Sequence, residues 1–96
     1  MTDRKTTANI FEDLGFDKLE AANMKIRAEL LLEIREHVRK KGLRQKEAAA
    51  LLGINQPEVS ALMNGHINKF SIDALVNMLA RIGCQVRIVS RGKQAA

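Results

Sequence analysis

The chain has 96 residues, enough for one domain but not for two. Three Phe are the only aromatic residues, so a core has to be built from Leu, Ile, Val, Ala and Met, and burial by a second copy would help it. One cysteine, Cys84, excludes an internal disulfide; no apolar run approaches the ~18–20 residues that span a bilayer, and the formal charge of +5 favours a polyanionic partner.

The basic surplus is uneven. Residues 1–20 hold three basic and five acidic side chains, so it lies beyond them. Residues 1–8 are polar, with no leader pattern, and the chain reads as cytoplasmic. Ile10, Phe11, Leu14 and Phe16 form a short apolar island. Asn9 is placed to cap one helical turn there, and Gly15 to end it. The turn is expected to pack on the body, with a partner surface as the alternative.

A long helix is predicted over residues 19–41. Ile26, Leu30, Ile34 and Val38 recur every four residues, with Leu31 beside them. Arg39, Lys40 and Lys41 suit the negative end of the helix, and Gly42 is a natural stop. Residues 44–52 read as a second, short helix ended by Gly53. A third follows from Gln56 to about Asn64. Asn55 and Glu58 make a capping pair, Pro57 sits in the first turn, and Ile54 with Val59 can staple the entry. Residues 65–69 read as a loop. A fourth helix is expected over residues 72–82, capped by Ser71 and stapled by Phe70 and Leu75, with Leu75, Val76, Leu79 and Ile82 inward. Residues 85–90 alternate with a period of two: Val86 and Ile88 on one face, Arg87 on the other. A strand with no sister in the chain leaves its N–H and C=O groups unpaired. Pairing of Val86, Arg87, Ile88 and Val89 with the same residues of a second copy satisfies them. A frayed tail or pairing with the N-terminal arm are the other solutions. The divisions are thus an arm (1–18), a helical body (19–83) and a C-terminal strand with a basic tail (84–96).

The informative stretch is QKEAAALLGINQPEVSALMN, residues 45–64. Two short helices joined by about three residues must meet closely and steeply. Ala49 allows the approach, and Gly53 tolerates the positive φ of a tight turn. Ala48, Leu52, Ile54, Val59 and Leu62 fall inward. Residues 41–65 (KGLRQKEAAALLGINQPEVSALMNG) resemble the phage-repressor-like, Xre-type helix-turn-helix proteins. With NIFEDLGF in front and FSIDALVNMLARIGCQVRIV behind, the arrangement resembles a subgroup that includes antitoxins encoded beside RelE-like toxins.

The resemblance implies an all-α bundle of four to five helices with one short C-terminal strand. It also implies double-stranded DNA as partner, a homodimer on a palindromic operator, repression of the chain's own promoter, and no cofactor, metal or catalytic residue. Neutralising a RelE-like toxin is the alternative role. The third helix would enter the major groove by its N-terminal end. Gln56 is the first candidate for reading a base, since its amide matches N6 and N7 of adenine. Ser60, Ala61 and Asn64 share the outward side with it, and Asn55 lies at the lip. Glu58 is expected to cap. No Arg or Lys lies in that helix. Arg44, Gln45, Lys46 and Lys69 are therefore expected to meet phosphates, with free amides at the start of the second helix. Arg44 departs from the Thr common in the family at that position. The two histidines, His37 and His66, lie in no triad or metal pattern, and Cys84, between Gly83 and Val86, reads as a small packed residue.

Overall fold

The structure is a computed structural model that describes residues 10, 11, 13–15 and 17–92. The capping by Asn9, the place of Phe16 and the end of the basic tail lie outside the described residues. Four α-helices are described: α1 (Lys18–Lys41), α2 (Gln45–Leu52), α3 (Gln56–Met63) and α4 (Ile72–Arg81). A single 3-10 turn, Ile67–Lys69, occupies the stretch expected as plain loop. None of the described helices is long and apolar enough to cross a membrane.

α1, α3 and α4 start where a cap side chain supplies an acceptor. Asp17 Oδ1 accepts from the Glu20 N–H at 2.8 Å, and Glu20 Oε1 accepts from the Asp17 N–H at 3.4 Å. This reciprocal box starts α1 at Lys18, one residue before the predicted boundary. Ser71 Oγ accepts from the Ala74 N–H at 3.0 Å and opens α4. At the far end of α1, the N–H groups of Gly42 and Leu43 donate to Arg39 O and Val38 O, and Arg39, Lys40 and Lys41 complement the negative helix end.

The core is a single cluster in which α1 packs on α4, and α2 and α3 pack on each other and against that pair. α1 contributes Leu31, Ile34 and Val38 to it, while Ala21 is buried nearer its start. Ile26, expected in the stripe, is 47% exposed. Steps of four residues drift by about 40° each on a 3.6-residue helix, so three steps back from Val38 carry Ile26 roughly 120° off the buried line. Leu31, seven residues before Val38, returns to within about 20° of it. α4 buries Leu75, Met78 and Leu79, leaving Val76 and Ile82 half-buried. Met78 thus replaces part of the expected stripe, and the helix ends at Arg81 with Ile82 as its cap. Phe70 is buried in the same cluster as Leu75, as a staple requires.

The ends add little to this core. Ile10, Phe11 and Asp13 are helical, the Leu14 N–H bonds to Ile10 O at 3.1 Å, and Gly15 has φ +101°. Phe11 is half-buried, but Ile10 and Leu14 are exposed, Leu14 by 69%. Packing of the island onto the body is therefore only partial. Residues 84–92 hold no helix or strand within the chain; Ile88 and Val89 are 89% and 79% exposed. Cys84 is half-buried against the core, as a small packed residue.

Candidate nucleic-acid interface

α2 and α3 are joined by Gly53, Ile54 and Asn55. Ala48, Ala49 and Leu52 of α2 and Val59 and Leu62 of α3 are buried, with Ile54 half-buried beside them. The small Ala49 side chain lets the second helix approach, and its carbonyl accepts from both Gly53 N–H (2.9 Å) and Ile54 N–H (3.1 Å). Gly53 has φ +74°. That value is easy for glycine and costs other residues roughly 1–2 kcal/mol. The chain therefore reverses in three residues and presents the start of α3 at the surface.

The two helix starts differ in kind. At α3, Asn55 Oδ1 accepts from Glu58 N–H at 2.8 Å and Glu58 Oε1 accepts from Asn55 N–H at 2.9 Å. Asn55 and Glu58 are therefore engaged with each other. Pro57, in the first turn, has no N–H to satisfy. At α2 the cap residue is Arg44, and a guanidinium has no acceptor. Only the Glu47 carboxylate closes the ring, accepting from Arg44 N–H at 2.8 Å. No side chain of the cap bonds the first amides of α2, so the N–H groups of Gln45, Lys46 and Glu47 face outward with the positive end of the helix.

Around these two starts lie the expected residues. Gln56, Asn55 and Asn64 are exposed; Gln56, Ser60 and Asn64 follow one another at four-residue intervals along one side of α3. Ser60 and Ala61 are half-buried rather than open. The loop after α3 folds back so that His66 N–H bonds Ala61 O at 3.0 Å, and the Ala61 methyl packs partly on the core. Ala61 also lines a shallow depression with Asn55, Glu58 and Lys69. That depression brings Lys69 to the start of α3. Arg44, Gln45 and Lys46 are exposed at the start of α2. Sequence reasoning did not find Arg81. Its Nε donates to Leu51 O at 3.0 Å, across thirty positions of chain, and no local pattern announces such a bond.

Two comparisons with known proteins match. The family described as "Helix-turn-helix domain" matches residues 10–91. A solved structure described as an XRE family transcriptional regulator superposes with a TM-score of 0.73 at 35% identity, covering 80% of this chain and 86% of that one. No curated protein matches the sequence. A match over nearly the whole chain, together with the capped, glycine-hinged helix pair, places this protein in the XRE-type helix-turn-helix family of DNA-binding transcriptional regulators.

Proposed function

We propose that the chain is a homodimeric repressor that reads a palindromic operator in its own promoter through α3. The observation that carries this reading is the exposed Gln56 side chain at the first position of α3, on a helix whose entry is fixed by the Asn55–Glu58 box. A primary amide in that position offers a donor and an acceptor to the N7 and N6 edge of adenine. Ser60 and Asn64 extend the reading edge along the groove. Ala61, half-buried, contributes a methyl surface at its margin, and Asn55 keeps its amide N–H₂ free for a contact at the lip while its oxygen caps the helix. In a gel shift with the gene's own upstream DNA, Gln56→Ala is expected to lose about tenfold in affinity, within the ~1–3 kcal/mol a bidentate base contact supplies. Binding to a scrambled duplex should be unchanged. Equal binding of both proteins to both duplexes removes the specific-reader proposal.

Backbone contacts come from Arg44, Gln45, Lys46 and Lys69. The free amides of α2 make an anion seat, flanked by the Arg44 and Lys46 charges. Arg44→Ser restores a side-chain acceptor at the helix start and removes one cation. It is expected to raise stability by up to about 1 kcal/mol. The slope of log affinity against log salt should flatten by roughly 0.9. An unchanged slope shows that Arg44 meets no phosphate.

The homodimer rests on the C-terminal segment. Val86, Ile88 and Val89 are exposed apolar residues flanking Arg87, and a cleft of about 390 Å³ beside them is lined by Leu30, Leu32 and Leu79 with Glu29 and Glu33 at its edge. An alternating apolar and basic segment suits such a cleft or a matching strand on a second copy. The same gel shift reports it, since a two-fold complex requires both half-sites.

One observation favours a second reading, an antitoxin that binds a RelE-like toxin: Ile10 and Leu14 stay exposed at the N-terminal end. Leu14→Ala should then weaken toxin capture while leaving the circular-dichroism melt and operator binding unchanged. A variant that instead melts early assigns Leu14 to packing.

A further inference from the structure

We infer that Arg81, at the end of α4, is a positioning residue for base reading: it pins the turn that aims α3, without itself meeting DNA. This rests on the reading of α3 given above. The argument begins with the turn. α2 ends at Leu52, and its last carbonyls have no partner inside the helix. One of them, Leu51 O, accepts the Arg81 Nε–H at 3.0 Å. A guanidinium there also places a positive charge at the negative end of α2.

The same side chain lies over Gly53. A Cβ at position 53 would stand 2.8 Å from Arg81 Nε, 2.9 Å from Cζ and 3.3 Å from Cδ. The glycine is thus required for its φ of +74°, and a Cβ there would also push the Arg81 side chain from its place. The helix that carries this exposed side chain is itself held in the core by Leu75, Met78 and Leu79. The Arg81 side chain thus ties the unit of α2, α3 and their turn to a helix outside it. Gln56 follows Gly53 by three residues, so the bearing of the reading helix is referred to α4 through this bond.

The test uses the full chain, the upstream duplex and the scrambled duplex, each titrated at two salt concentrations, with Arg81→Met and Arg81→Lys beside the wild type. Methionine keeps an unbranched stem across Gly53 and removes the donor. Lysine returns a donor and the charge. The ratio of specific to scrambled affinity is expected to fall about five- to tenfold for Arg81→Met, the size of an ordinary exposed hydrogen bond, and to recover in part for Arg81→Lys. The salt slope should stay at the wild-type value. Affinity is measured at a temperature where circular dichroism shows each variant folded; if Arg81→Met is not folded there, Arg81→Lys must still show a ratio below wild type. An unchanged ratio in a folded Arg81→Met overturns the inference. So does a slope flattened by roughly 0.9, which makes Arg81 a phosphate contact. A wild type that prefers neither duplex sinks the base-reading proposal itself.

Discussion

Leu62→Ala is expected to be among the most damaging substitutions in the chain, costing about 3 kcal/mol, within the ~2–5 kcal/mol that buried Leu→Ala changes span. Leu62 has no exposed surface and belongs to the cluster shared by α1, α2, α3 and α4. Removing its isobutyl group forfeits the transfer energy and opens a cavity that four converging helices cannot all move to fill. A domain of this size holds roughly 5–14 kcal/mol, so the loss is a large fraction of the total. Urea unfolding at fixed protein concentration should show the midpoint falling by about 2 M or more, for an m-value of ~1–1.5 kcal/mol/M. Leu19→Ala is the internal control. Leu19 is 84% exposed, and its loss should leave the midpoint within error. Equal midpoints for Leu62→Ala and wild type contradict the packing described for α3.

Gly53→Val should cost about as much for different reasons. Valine is β-branched and is a genuine outlier at positive φ. The left-handed region costs roughly 1–2 kcal/mol for a residue with a Cβ, before any contact is counted. The new Cβ then falls 2.8 Å from Arg81 Nε, which has to shift from its place against Leu51 O. A displaced bond from a charged donor adds on the order of 1 kcal/mol at this exposed position. The sum is about 2–3 kcal/mol. Gly53→Ala, which lacks the branch, should fall between Val and wild type. Restoring room through Gly53→Ala with Arg81→Ala should remove the steric part but not the backbone part. A double variant as stable as the wild type would show that φ at position 53 is no constraint.

What was legible in the sequence was what is written locally. The Asn55–Glu58 box, the Pro57 start, the Gly53 stop and the Ala49 approach are all signals within a few residues of where they act. The structure has each in place. The α1 stripe was read correctly at Ile34 and Val38 and failed at Ile26, because a four-residue repeat is only approximately the helical period. Met78 was overlooked for a related reason: branched aliphatics were given the inward side of α4, while the flexible thioether is 98% buried. Ala61 was read as outward from its place on the wheel of α3. Its methyl instead packs partly against the core, beside Lys69 and Phe70 in the shallow depression. Arg81 was illegible in principle, since its partner is a main-chain carbonyl and any residue type at position 51 would supply one.

The start of α2 shows how the fold divides its stability. A serine, threonine or asparagine at position 44 would seal that helix from within. Arginine leaves its amides to be completed from outside. The region that would grip a phosphate is then also a helix start without a side-chain cap, and a bound anion would supply one. Occupancy by nucleic acid should therefore register as reduced amide exchange at Gln45, Lys46 and Glu47, at the very residues where the free protein is under-bonded.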